Sequence, residues 1–86
     1  MWDVQFSPNA IRDYNSLDRT IRRRINAVLD RLCTDPLHQP NIKRLVGPLA
    51  GQLRFRVGDW RIAYYVRAEL RRIVIVRIAH RREVYD

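Results

Sequence analysis

The segment from Gln52 to Tyr65 constrains the fold more than any other part of the chain, because it reads as a β-hairpin with two chemically opposed faces. Gly58-Asp59 supplies the central pair of a two-residue turn, with glycine first, where a positive φ is needed. A turn of that length sets the register. Val57 then lies opposite Trp60, Phe55 opposite Ile62 and Leu53 opposite Tyr64 on one face, while Arg56 lies opposite Arg61 and Arg54 opposite Ala63 on the other. Three cations share that second surface. Like charges placed opposite each other on a sheet destabilise it by about 0.2–1 kcal/mol, and neither strand contains an acid to offset them. A polyanion suits such a face, whose ordinary alternative is a solvated layer of arginine stems.

The distribution of charge favours the polyanion. The chain of 86 residues carries a net charge of +8. Residues 1–42 hold six arginines against five acids, whereas residues 43–86 hold eleven basic residues against four acids, so the excess belongs to the sheet-forming half. Lys43 is the only lysine, and arginine presents the planar fork that grips phosphate through two hydrogen bonds. Nucleic acid or an acidic protein is the expected partner of so basic a chain.

Length predicts one domain over residues 1–86, with a single modest core. The longest apolar runs, Ile62–Val66 and Ile73–Val76, fall far short of the roughly 20 residues a membrane helix needs, and Trp2–Phe6 is too short for a leader. No membrane partner is expected. Cys33, the single cysteine, has no partner for an internal disulfide, which fits a reducing cytoplasm, and its spacing from Leu29 gives it a packing role. No cluster has metal-ligand spacing, so neither a metal nor another cofactor is expected. Any chemistry falls to arginine, tyrosine, histidine and isolated acids.

Trp2–Phe6 alternates like a short strand. Ser7-Pro8 is a helix start, followed by Ala10, Ile11, Tyr14 and Leu17 at helical spacing. Asp18 caps a second helix with the apolar stripe Ile21, Ile25, Val28, Leu29 and Leu32, ended by Asp35-Pro36. Residues 36–51, with three prolines and two glycines, read as a loop. A last strand runs from about Arg72 to Ala79, apolar on both sides except at Arg77. The pattern predicts an α+β fold: an N-terminal strand and a two-helix hairpin packed on one face of a small, mainly antiparallel sheet. Trp60, Tyr64 and Trp2 belong to the core, and Arg54, Arg56 and Arg61 line the uncovered face with Tyr65.

The order of these elements, the segment Ile42-Lys43-Arg44-Leu45, the hairpin Leu53–Tyr64 and the ending His80-Arg81-Arg82-Glu83-Val84-Tyr85 resemble the RelE-type toxins of the RelE/ParE superfamily over nearly the whole chain. The resemblance implies a RelE-like fold and a toxin of a type II toxin–antitoxin system. It implies metal-free, ribosome-dependent cleavage of messenger RNA in the decoding site, inhibiting translation, by attack of a ribose 2′-hydroxyl on the adjacent phosphorus. It further implies neutralisation by a small acidic antitoxin in a hetero-oligomeric complex.

By similarity, Arg61 is the residue to stabilise the charged transition state, with Arg56 beside it. Arg81 matches the basic residue after the last strand and Tyr85 the C-terminal tyrosine that orients or activates the attacking hydroxyl. Arg54, Lys43, Arg44, Arg77 and Tyr65 are the expected RNA contacts. Some family members carry lysines where this chain has Arg54 and Arg56, and arginine gives up no proton at neutral pH. His80 is the alternative proton-transfer group, against a strand-end histidine satisfied by backbone. Glu83 either orients His80 or pairs with Arg81 or Arg82, and His38 is expected in solvent. Two further readings stand beside the ribonuclease: a ParE-like poison of DNA gyrase, and a basic nucleic-acid-binding module without catalysis.

Overall fold

The computed structural model describes residues 1–83; Tyr85 lies outside the described residues. Strand β1 (Asp3–Phe6) leads into helix α1 (Pro8–Asn15), where the Ser7 hydroxyl accepts the Ala10 N–H at 3.1 Å and proline occupies the first turn. Asp18 caps α2 (Arg19–Thr34) in the same way, accepting the Ile21 N–H at 2.9 Å. Both caps agree with the sequence reading. Among the described residues, no helix is long and apolar enough to cross a membrane.

Four further strands, β2 (Ile42–Arg44), β3 (Leu53–Val57), β4 (Trp60–Arg67) and β5 (Arg72–His80), join β1 in one sheet of order β1-β5-β4-β3-β2. β1 runs parallel to β5 and the other neighbours are antiparallel. The hairpin register is the one the Gly58-Asp59 turn predicts, from Leu53 opposite Tyr64 to Val57 opposite Trp60. Residues 36–51, however, are not simply a loop. Ile42–Arg44 pairs with Phe55–Leu53 as an edge strand, and Leu45 N–H donates to Gln52 O at 3.0 Å beyond it. Three paired residues between prolines are too few to show a period in sequence; the ladder offered by β3 makes them a strand.

Helices α1 and α2 cover one face. Ile25, Val28 and Leu32, spaced three and four apart on α2, pack with Ala10 and Leu17 against Phe55, Ile62, Tyr64, Ile73, Ile75 and Ile78. Each fully buried side chain of this kind contributes about 1.5–3 kcal/mol. Ile11, by contrast, is 48% exposed; the short α1 turns Ala10, fully buried, and Tyr14, partly buried, toward the core instead. Trp2 is half-buried, with the Arg71 guanidinium 4.7 Å from its ring centre.

A bulge changes the phase of β5. Ala63 pairs with Arg77 and Tyr64 with Ile75, so Val76 has no partner on β4. The skipped residue reverses the alternation: Ile73 and Ile75 face the helices before it, Ile78 and His80 after it. Where β1 ends, α1 takes over the exposed edge of β5. The Ser7 hydroxyl donates to Val76 O at 2.9 Å, and the Asp13 carboxylate accepts the Ile78 N–H at 2.8 Å.

Candidate functional site

The register arranges the face away from the helices in rows. Lys43, Arg54, Ala63 and Arg77 form one row across four strands, and Arg56, Arg61 and Ala79 form the next across three. Ala63 and Ala79 are too small to fill their places among longer neighbours, and a hollow of about 290 Å³ opens over them. Leu45 and Leu49 wall one side, and Arg54, Arg61, Arg77 and Glu83 contribute the charge. The face expected to be uncovered is thus partly enclosed by the segment that follows β2.

Arg61 bends over the hairpin turn, its Nη1 donating to Gly58 O at 2.8 Å and to Trp60 O at 3.0 Å. Among the described residues its Nε and Nη2 donors are uncommitted. Arg56, directly opposite, is exposed. Arg81 is brought to the same end of the face. Its backbone N–H donates to Asp59 O at 2.7 Å, and its guanidinium stands 3.8 Å from the exposed Asp59 carboxylate, a separation at which an ion pair contributes little. Arg56, Arg61 and Arg81 therefore stand about the Gly58-Asp59 turn, which the guanidinium of Arg24 on α2 also reaches.

The expected RNA contacts divide. Lys43 and Tyr65 are exposed, and both face away from the helices. Arg54 is on that face but only 8% exposed, so it is a buried cation between the hollow and a second depression lined by Asn41, Lys43 and Arg56. It sits in the middle of its row, with neighbours on both sides and Leu45 nearby, which is why alternation alone misjudged its exposure. Arg77 is tied down: its Nε donates to Asp13 Oδ2 at 2.7 Å and its Nη2 to Asp13 Oδ1 at 3.3 Å. Those bonds, then the Asp13 charge and more weakly Glu83, raise its pKa further above the ordinary arginine value. Arg44 belongs to the other face, opposite Leu53 and near Tyr64. The edge strand sets that parity, which a loop reading had no means to supply.

His80 is also on the helix side. It pairs with Trp60, the two rings meeting edge to face at 5.4 Å, and its Nδ1 accepts the Arg82 N–H at 3.3 Å. The bulge at Val76 puts it there, away from Arg56 and Arg61. His38 is in solvent as expected, beside Asp35 at 3.3 Å. The phenol of Tyr64 donates to Pro36 O at 2.7 Å and belongs to the core.

Three contributors escaped the sequence reading. Asp13, on α1, pairs with a residue 64 positions away, a contact that carries no local signal. Leu45 becomes visible once Lys43 is placed in a strand, since two residues on it shares the same face. The sequence offers Glu83 as a partner of His80, Arg81 or Arg82, and the short turn Arg81–Glu83 carries it to the hollow.

Comparison with known proteins agrees with this architecture. Residues 4–85 match the family described as the ParE toxin of the type II toxin–antitoxin system, parDE. Among solved structures, the RelBE2 toxin–antitoxin complex of Mycobacterium tuberculosis contains a chain 30% identical, with a TM-score of 0.83, the match covering 92% of this chain and 96% of that one. A chain of the archaeal RelE–RelB complex from Pyrococcus horikoshii shares the fold at 24% identity and a TM-score of 0.79, over 96% and 98% of the two chains. The YoeB/ParE toxin of Agrobacterium tumefaciens shares it at 18% identity and 0.80, over 91% and 96%. No curated protein sequence matches the chain.

Proposed function

The chain belongs to the ParE toxin family of type II toxin–antitoxin systems, within the RelE/ParE superfamily, and from that premise we propose that it is a ribosome-dependent endoribonuclease that cuts messenger RNA in the decoding site. The observation that carries this reading is the cluster of Arg56, Arg61 and Arg81 about one turn, beside a hollow sized for part of a nucleotide. Attack of a 2′-hydroxyl on the neighbouring phosphorus builds negative charge on the phosphoryl oxygens. Fixed guanidinium donors are worth most where such charge develops.

In this reading Arg61 holds the scissile phosphate, because its bonds to Gly58 O and Trp60 O fix the guanidinium while leaving donors for an anion. Arg56 and Arg81 bind the same phosphate or the next one. Lys43 and Tyr65 carry the flanking strand, Tyr65 by stacking on a base, and Arg54 supplies charge from beneath the surface. Tyr85 is assigned to orient the attacking hydroxyl. Arg77 acts as a strut through Asp13, and His80, on the other face, has no proton-transfer part. The implied partners are the ribosome, its message and a cognate antitoxin.

A second reading, poisoning of DNA gyrase, is favoured by the match to the ParE toxin family. Primer extension on messages from cells producing the protein separates the two. New in-frame 5′ ends support the ribonuclease, whereas intact messages with gyrase-linked DNA breaks transfer the assignment to the second reading.

A further inference from the structure

We propose that Glu83 is the proton acceptor for the attacking 2′-hydroxyl, an inference that rests on the ribonuclease reading. The reaction needs a base, and the ionisable groups among the described residues of this face are mostly cations. Arginine accepts no proton at neutral pH. Lys43 lines the outer depression and not the hollow. His80 faces the helices with Nδ1 occupied by the Arg82 N–H. Asp13 is committed to Arg77 and to Ile78 N–H, and Asp59 lies on the turn beside Arg81. Among the described residues, Glu83 is the one carboxylate that lines the hollow.

Its surroundings suit the task. The charged groups sharing the hollow with it are Arg54 from β3, Arg61 from β4 and Arg77 from β5. The small side chains of Ala63 and Ala79 leave room above them, and Glu83 and Arg61 both line the hollow that opens there. A carboxylate oxygen of Glu83 takes the 2′-hydroxyl proton as the O2′–P bond forms. The P–O5′ bond breaks and its electron pair leaves with the 5′ oxygen, which takes a proton from water. Glu83 returns its proton to the resulting hydroxide. The products are a 2′,3′-cyclic phosphate and a 5′-hydroxyl, with no oxidant, reductant or co-reactant consumed.

The test is single-turnover cleavage of a defined message on ribosomes by the purified full chain, from acid to neutral pH, with ribosome co-sedimentation measured in parallel. Glu83→Gln is expected to slow cleavage by roughly 100-fold or more, to abolish the rise of rate with pH on the acidic side, and to sediment with ribosomes as the wild type does. Glu83→Asp, which keeps the carboxylate on a shorter stem, is expected to restore part of the rate and the acidic limb. Cleavage by the Gln variant at the wild-type rate, with the acidic limb intact, overturns the role of Glu83 and leaves the ribonuclease reading standing. Failure of the wild-type chain to cut ribosome-bound message overturns that reading and this proposal with it.

Discussion

The carboxylate of Asp13 holds the guanidinium of Arg77 through two hydrogen bonds, at 2.7 and 3.3 Å, and its Oδ2 also accepts the Ile78 N–H at 2.8 Å. One acid on α1 thereby neutralises a cation of the arginine face and closes the edge of β5 where β1 stops. Asp13→Ala is expected to lower stability by about 1–3 kcal/mol, the range for leaving a backbone donor without a partner. Arg77 is half-exposed, so solvent screens its share and most of the loss belongs to Ile78 N–H. Chemical denaturation of the two proteins checks this.

Arg61→Ala is expected to slow message cleavage by roughly 100- to 1000-fold, the range for deleting one transition-state donor. The fold should survive, because the bonds lost are to carbonyls of the adjoining turn, Gly58 and Trp60. Growth arrest by a soluble, folded variant at wild-type strength removes Arg61 from the mechanism.

Gly58 has φ +59°, and a β-carbon there would meet the tip of Arg24. The guanidinium ends a flexible side chain and can move aside, whereas the left-handed backbone remains. Gly58→Ala is therefore expected to cost about 1–2 kcal/mol, and Gly58→Asn less, as judged by the midpoint of denaturant unfolding.

Burial, followed by the charge of Asp35, raises the pKa of the Tyr64 phenol well above its usual value of about 10. In alkali the unfolded chain ionises first at this residue and so binds fewer protons than the folded one. Stability falls as pH climbs past about 10. Tyr64→Phe should lack that component of the alkaline decline. At neutral pH it should be weaker by about 1–3 kcal/mol, since Pro36 O loses its buried donor. Unfolding curves of both proteins between neutral and alkaline pH test the two parts together.

Binding of an acidic antitoxin is expected to weaken with added salt yet persist. Exposed cations such as Lys43 and Arg56 give the salt-sensitive attraction, and the apolar groove lined by Phe6, Ile11, Tyr14 and Leu29 gives contacts that salt does not screen. Titration of the partner at increasing ionic strength checks this; complete dissociation at moderate salt contradicts it.

What the sequence determined by itself was local. The Ser7 and Asp18 caps, the hairpin register and the apolar stripe of α2 depend on residues within a turn or two of one another, and backbone geometry makes those relationships readable in order. Tertiary structure decided the rest. Pairing with β3 turned Ile42–Arg44 into a strand and sent Lys43 and Arg44 to opposite faces. The unpaired Val76 reversed the alternation of β5 and put His80 beside Trp60 instead of beside Arg61. Arg54 became buried and Arg77 became neutralised through neighbours from distant segments. The same guanidinium is a ligand for phosphate when solvent surrounds it and a structural tie when a carboxylate reaches it first, and only packing settles which of these an arginine will be.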